Sequence, residues 1–350
     1  WLEDLPVPQH AAVVAQSLIN TMQDSFTLAS GQEIYIGTSI GISIFPDDGD
    51  VSNEILRNAD AALYQAKGGG RATFRFYTEA MSQAANVRVE LEAHLRHALT
   101  RQEFLLHYQP LVSLEGRRVV GVEALLRWNS PANGMILPGQ FIPLAEETSL
   151  IVPLGTWVLR TSCAQMVVWI GMGVGLTTMA VNLSPVQFAQ SNIVDVIRDV
   201  LNETGLPPGY LELEITEGAL MEPGPDLEAK LASLRALGVR LSIDDFGTGY
   251  SSLAYLKKLP INKLKIDRSF VADIPTDPAD MEITAAVVGL AKNLHLEVLA
   301  EGVETEDQLS FLHQLGCHSA QGYLLSPPLP ESEIGKILGQ STFPGWPRLL

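Results

Sequence analysis

Apolar and polar positions fall into two textures along this chain. Residues Glu33 to Ile44 (EIYIGTSIGISI) are rich in β-branched side chains and predict a strand. Asn58 to Ala66 predicts a helix, stopped by Lys67-Gly68-Gly69-Gly70-Arg71, and Ala72 to Tyr77 predicts a closing strand. This first region, to about Met81, is too short for a large core of its own. From Val87 onward short β-type runs alternate with helical ones. Strands are predicted over Phe104 to Leu111, Val119 to Leu126, Thr177 to Leu183, Leu211 to Thr216, Arg240 to Asp244, Lys263 to Asp267, Glu297 to Ala300 and Ala320 to Leu324. Of the helices between them, Asp226 to Leu237 sets Leu227, Leu231 and Leu234 on one face. Another begins at Thr305, with Gln308 completing a capping box, and ends before Gly316. Strands and helices alternating over about 250 residues make an α/β protein and fit a (β/α)8 TIM-like barrel. A doubly wound open sheet satisfies the same periodicity.

Polar residues recur in or just after these apolar runs. Glu123 follows VVGV, Asn182 follows MAV, Glu214 sits in LELEI, and Asp244 and Asp245 follow LSI. Lys265 sits in KLKI, Glu301 follows VLA, and Gln321 follows SA. One such residue alone reads as a solvated loop position, and a lone Asp-Asp pair as an exposed turn. The recurrence at seven predicted strands carries the weight. In a barrel the C-terminal strand ends converge on one face, where active sites form. Carboxylates gathered there cannot all ionise without a counter-charge, so they are protonated or surround cations. The set is rich in oxygen and has no His or Cys, which favours Mg²⁺ or Mn²⁺ over zinc. Two such ions suit in-line displacement at phosphorus, with Lys265 neutralising charge or holding the attacking water.

Composition narrows the partners. Among 350 residues 46% are hydrophobic, and the net charge of −17 comes with no Lys/Arg run, which argues against a nucleic-acid duplex. An acidic chain still binds a small phosphate ligand when metal ions supply the positive charge. Cys163 and Cys317, each in an apolar stretch, read as buried free thiols in a reducing, cytoplasmic compartment. No uninterrupted apolar run reaches the roughly 18 to 20 residues of a membrane span, and no membrane contact is expected from this segment. The chain begins with Trp1, without a signal segment, and reads as a piece of something longer.

Glu123-Ala124-Leu125-Leu126-Arg127-Trp128 resembles the signature of EAL-domain cyclic di-GMP phosphodiesterases. The resemblance continues through Tyr108-Gln109-Pro110, Asn182-Leu183-Ser184, Glu214-Ile215-Thr216-Glu217, the run from Asp244 to Leu253, Lys263 to Asp267, Ala300 to Glu304 and Gln321-Gly322-Tyr323. It spans about Val87 to Leu338. It implies a barrel with an antiparallel first strand, and hydrolysis of cyclic di-GMP to linear pGpG with Mg²⁺ or Mn²⁺, two ions in all. It also implies a homodimer through the barrel. By motif position, Glu123, Asn182, Glu214, Asp244, Asp245 and Glu301 resemble the metal ligands, and Lys265 the residue on the catalytic water. Gln109, Leu126, Arg127, Gln321 and Glu304 resemble substrate-side or supporting positions. Glu217 resembles an anchor for the loop after Asp245, in which Gly247 and Gly249 permit a tight turn. That loop, ending in Tyr250-Ser251-Ser252, is expected to couple the site to a dimer partner. The chain departs from the family at Gly218, where Ser is common, so that a hydroxyl is lost beside the anchor.

The first region resembles the C-terminal part of a GGDEF (diguanylate cyclase) domain, on Ser39-Ile40-Gly41-Ile42-Ser43 and Ala59 to Lys67 followed by Gly70-Arg71. It departs at Ala72, where Asn is common. The GTP-binding Gly-Gly-Asp/Glu-Glu-Phe loop is absent, so no cyclase activity is expected of this chain. The expected organisation is a GGDEF fragment over 1–81, an EAL barrel over 82–340 and a tail over 341–350. Other motifs carry less. Gly37-Thr38-Ser39-Ile40-Gly41 fits a nucleophile-elbow pattern but lies in a strand-type run with no His/Asp set around it. Gly171, Gly173 and Gly175 follow a helix, the wrong context for a dinucleotide loop. His94 and His97 read as a solvated helix face. Lys67 to Arg71 sits at a helix C-terminus, the wrong pole for an anion. The rival to an active hydrolase is a degenerate EAL domain that acts as a cyclic di-GMP receptor or a scaffold. That class is marked by lost acidic ligands, and none is missing here.

Overall fold

The computed structural model describes residues 2, 10–22, 25–27, 33–221, 227–249 and 253–338. The chain divides into two units, 1–94 and 95–350. In the first, strands Ile40–Ile42 and Phe74–Phe76 pair in parallel, with helix Ser52–Gly68 between them in sequence. Gly41 lies against the helix backbone at Ala59 and Leu63, where a Cβ has no room. Phe26–Thr27 and Glu33–Ile34 form a separate antiparallel pair. The continuous strand expected from Glu33 to Ile44 is therefore two short strands, with residues 35–39 outside the ladder. The elbow motif Gly37–Gly41 runs into strand Ile40–Ile42, with Ser39 before the strand and not at a turn from strand to helix, so it lacks the geometry its chemistry needs.

The second unit is built on eight strands: β1 (Phe104–Ser113), β2 (Arg118–Ser130), β3 (Thr178–Asn182), β4 (Leu211–Thr216), β5 (Arg240–Phe246), β6 (Lys263–Ile266), β7 (Glu297–Ala300) and β8 (Ser319–Ala320). β2 to β8 run parallel in sequence order. β1 pairs antiparallel with both β2 and β8, and so closes the barrel. The open-sheet alternative is thereby excluded, and the first strand is antiparallel as expected. β8 is shorter than the expected Ala320 to Leu324. Gly322 presses on the Val303 backbone, and the chain turns away after Ala320.

Alternation along β2 explains its sequence. Val122, Ala124 and Trp128 are buried on the helix side, where Trp128 meets Phe104 and, on helix Pro138–Glu147, Phe141, with ring centroids 5.8 and 5.6 Å away. Glu123, Leu125 and Arg127 take the lumen side. Helix Leu227–Leu237 buries its three-leucine stripe, Asp226 lying outside the described residues. The Thr305–Gln308 capping box forms, and Gly316 ends its helix at φ 75°. Helix Ile151–Gly171 is long and apolar enough by length and composition to cross a membrane, a length the glycine-broken sequence run did not reveal. In this fold it packs against β3 and helix Ile193–Thr204, burying Leu154, Leu159, Met166 and Trp169. Cys163 and Cys317 are free, buried thiols, and burial pushes both up to about 12.

Inside the barrel the side chains stack in layers. Leu111, Ala180 and Leu299 form an apolar middle layer. Two residues further toward the C-terminal strand ends, Asn182 and Glu301 follow Ala180 and Leu299, and Gln109 stands opposite Glu123 across β1 and β2. The polar residues singled out in the sequence thus fall on one end of the lumen.

Candidate active site

Lys265 stands at the centre of that end, fully buried. Its ammonium lies 2.8 Å from Glu214, 3.1 Å from Asp244, 2.7 Å from Glu301 and 3.8 Å from Glu123. Glu123 is held from the other side. Asn182 donates to its Oε1 at 2.6 Å, and Gln321 donates to its Oε2 at 2.6 Å. Gln321 also donates to Gln109 Oε1 at 2.7 Å, and Gln109 donates to the Ser326 carbonyl at 2.9 Å. Residues from β1 through β6, with Glu301 just past β7 and Gln321 just past β8, meet at one rim.

Asp245 enters the site by a backbone irregularity. The β5–β6 register shifts between Ile243 and Phe246, and Asp245 takes a left-handed φ of 54°. A regular strand would turn neighbouring side chains to opposite faces. The bulge instead brings carboxylate oxygens of Asp244, Asp245 and Glu301 within 4.8 Å of one another.

One ammonium does not neutralise this many carboxylates. Burial, then Glu123, raises Glu214 well above the usual carboxylate range against the pull of Lys265. Burial, aided by Asp244 and Glu123, pushes Glu301 up to about 8, also against Lys265. Burial, Asp244 and Asp267 push Asp245 up to about 6. Glu123 goes the other way: burial opposes ionisation, but Lys265, Gln321 and Asn182 outweigh it and hold the group low. Burial disfavours the Lys265 charge, but Asp244, Glu123, Glu214 and Glu301 raise its pKa well above the usual lysine range. Among the described residues, the buried Glu214 Oε1 has no hydrogen-bond partner. An orphaned oxygen, an all-oxygen donor set and carboxyls driven to hold protons together fit a hard divalent cation.

The loop after Asp245 is tied down from beneath. Buried Glu217 accepts the Gly247 N–H at 2.8 Å. Gly247 has φ 102°, and a Cβ there would lie 2.9 Å from the Phe270 ring. Gly218 faces open space, and the anchoring contact does not run through it. The loop tip Tyr250-Ser251-Ser252 lies outside the described residues.

Two singled-out residues stand apart from this cluster. Leu126 is on the helix side of β2, and its carbonyl accepts from Arg127 Nη1 at 2.8 Å. The Glu304 side chain is half exposed and pairs with Arg268 at 3.8 Å. Arg127 shares the lumen face with Glu123, further toward the strand end, and is partly buried. His107, on the lumen face of β1 two residues from Gln109, went unrecognised in the sequence. Burial and nearby Arg127 lower its pKa. Its alternation with Gln109 was the available signal.

A closed β/α barrel with an acidic, oxygen-donating cluster at the C-terminal rim of its strands belongs to the class of barrel enzymes built for metal-assisted chemistry. The chain belongs to the EAL domain family, which it matches over residues 92–328, and residues 2–73 match the diguanylate cyclase GGDEF domain. It is 46% identical over 327 residues to the bifunctional diguanylate cyclase/cyclic di-GMP phosphodiesterase MucR of Pseudomonas aeruginosa, covering 93% of this chain and 48% of that protein. It is 41% identical to the cyclic di-GMP phosphodiesterase NbdA of the same organism, over 99% of this chain and 44% of that one. The chain thus spans about half the length of these curated relatives. A solved structure of the PaMucR phosphodiesterase in complex with c-di-GMP superposes with a TM-score of 0.68 at 49% identity, covering 70% of this chain and 99% of that one.

Proposed function

We propose that this chain hydrolyses one phosphodiester bond of cyclic di-GMP to give linear pGpG, with two Mg²⁺ or Mn²⁺ ions. The observation that carries the reading is the gathering of Glu123, Glu214, Asp244 and Glu301 around Lys265, with Asp245 brought alongside, in a chain 49% identical to a phosphodiesterase solved with c-di-GMP. Glu123, Asn182, Glu214, Asp244, Asp245 and Glu301 are the residues that would hold the ions. Bound divalent ions lower the pKa of water and stabilise the attacking and leaving oxygens of an in-line displacement. Lys265 supplies fixed positive charge among the carboxylates and a donor to the attacking water. Gln321 and Asn182 fix the Glu123 carboxylate by donating to both its oxygens. Arg127 suits a substrate phosphate oxygen by the fork of its guanidinium, and Gln109 faces the same lumen. Glu217 and Gly247 set the position of Asp245 through the loop, and Glu304 serves as a supporting acidic residue outside the cluster.

The full protein acts as a homodimer through the barrel in this reading, in the cytoplasm. Two free, buried cysteines suit a reducing compartment. A net charge of −17 suits a small phosphate ligand met through cations better than a duplex. Product analysis tests the reaction. The purified chain with cyclic di-GMP and Mn²⁺ should yield pGpG by chromatography. Tight binding of cyclic di-GMP with no product would replace the hydrolase by a receptor.

A further inference from the structure

The opposite end of the lumen holds a second set of charges that the proposed reaction does not use. Glu212 and Lys263 lie two residues before Glu214 and Lys265 on the same strands, and Arg240 begins β5. Glu212 is fully buried and serves two cations: Lys263 donates to Oε1 at 2.6 Å and Arg240 Nε donates to Oε2 at 3.1 Å. Lys263 is only 4% exposed. Among the described residues, the other ion pair of this set joins Arg240 Nη2 to Glu297 at 2.7 Å, and the Glu297 side chain is 47% exposed. So two cations face one buried carboxylate, and the balance is supplied by a rim residue. A pair with one partner that exposed contributes little. Glu297 therefore yields readily to a competitor for Arg240.

Arg240, Lys263 and Glu297 line a cavity of about 720 Å³, within the roughly 300–1,000 Å³ of small-molecule sites. Thr178 and Ser319 add hydroxyls, and Leu111, Val120 and Cys317 give it an apolar wall. His318 stands at its rim, where its Nδ1 accepts the Val298 N–H at 3.1 Å. The apolar layer of Leu111, Ala180 and Leu299 separates this cavity from the acidic cluster.

We propose that this cavity binds a small organic monocarboxylate, which displaces Glu297 from Arg240 and reaches Lys263. The guanidinium fork matches a planar carboxylate. With Glu297 displaced, Arg240 and Lys263 face the single carboxylate of Glu212, which matches a monoanion, and the carboxylates of Glu115 and Glu297, both in the lining, oppose a dianion. The apolar wall accepts the body of the ligand.

Isothermal titration of the full chain with benzoate tests this, with the neutral benzamide and inorganic phosphate as controls. Benzoate should saturate, and benzamide and phosphate should not. Glu297→Gln removes the internal competitor and should tighten benzoate several-fold, while Arg240→Gln should weaken it at least about tenfold. Glu297 is a rim residue outside the proposed catalytic set, so its variant decides the matter even if Arg240→Gln fails to fold. Benzoate heats no different from benzamide, an affinity unchanged in Glu297→Gln, or tighter binding of phosphate would each overturn the assignment.

Discussion

Gly247 donates its backbone N–H to Glu217 Oε2 at 2.8 Å, across 30 residues of sequence. The contact fixes the strand-exit geometry that puts Asp245 beside Asp244. Glu217→Ala removes the acceptor of this part-buried hydrogen bond, at a cost of about 0.5–1.5 kcal/mol. Gly247→Ala adds a left-handed alanine and a Cβ 2.9 Å from Phe270, with a cost of similar order, about 1–3 kcal/mol. Both variants retain every proposed ligand, yet both should need more Mn²⁺ for half-maximal activity. Unchanged metal dependence in both would remove the loop from the account.

Gly218→Ser tests the opposite expectation. A side chain there meets no atom within 4 Å, and the anchor runs through Glu217 instead. Stability should change by no more than about 0.5 kcal/mol, with activity unaltered. A marked gain in metal affinity would show that the missing hydroxyl matters after all.

The acidic cluster imposes a pH dependence on the metal-free protein. Asp245, at about 6, and Glu301, at about 8, bind protons more tightly folded than unfolded. Their contribution is full below their ordinary values of 3.8 and 4.5, and is lost as pH rises through about 6 and about 8. Glu214, raised in the same direction, strengthens the trend. Depressed Glu123 acts oppositely, but only in acid below its ordinary value of 4.5. Calorimetry in EDTA should show Tm falling from pH 5 to 8. Excess Mn²⁺ should flatten the fall, because cations take the place of the protons. A Tm in EDTA that climbs across this window contradicts the assignment.

Lys265→Met leaves the buried carboxylates without their counter-ion. Breaking a buried pair in this way costs about 3–5 kcal/mol. The loss should be largest in EDTA at pH 8 and smaller at pH 5, where the carboxyls hold protons. Turnover should fall at least about 100-fold even with Mn²⁺ present. Equal destabilisation at both pH values would show that Lys265 acts by packing alone.

Much of the barrel was legible because its strands are short, apolar and separated by capped helices. The active end was legible because Glu123, Glu214, Lys265 and Glu301 each interrupt or end an apolar run. Glu212, Lys263 and Arg240 were not recognised, since a charge at the beginning of a strand reads as a solvated edge. Only barrel closure turns that position inward. The bulge that turns Asp245 beside Asp244 is also tertiary, because alternation alone sends the two to opposite faces. The expectation of one strand from Glu33 to Ile44 failed for a local reason: β-branched composition does not supply a partner strand for residues 35–39.

The most direct measurement is the Mn²⁺ dependence of cyclic di-GMP turnover in wild-type chain and Glu123→Ala, followed as pGpG. The wild type should form pGpG with Mn²⁺ and none in EDTA, and Glu123→Ala should lose at least about a thousandfold. Turnover that survives EDTA, or that persists in Glu123→Ala, would contradict the metal-assisted phosphodiesterase.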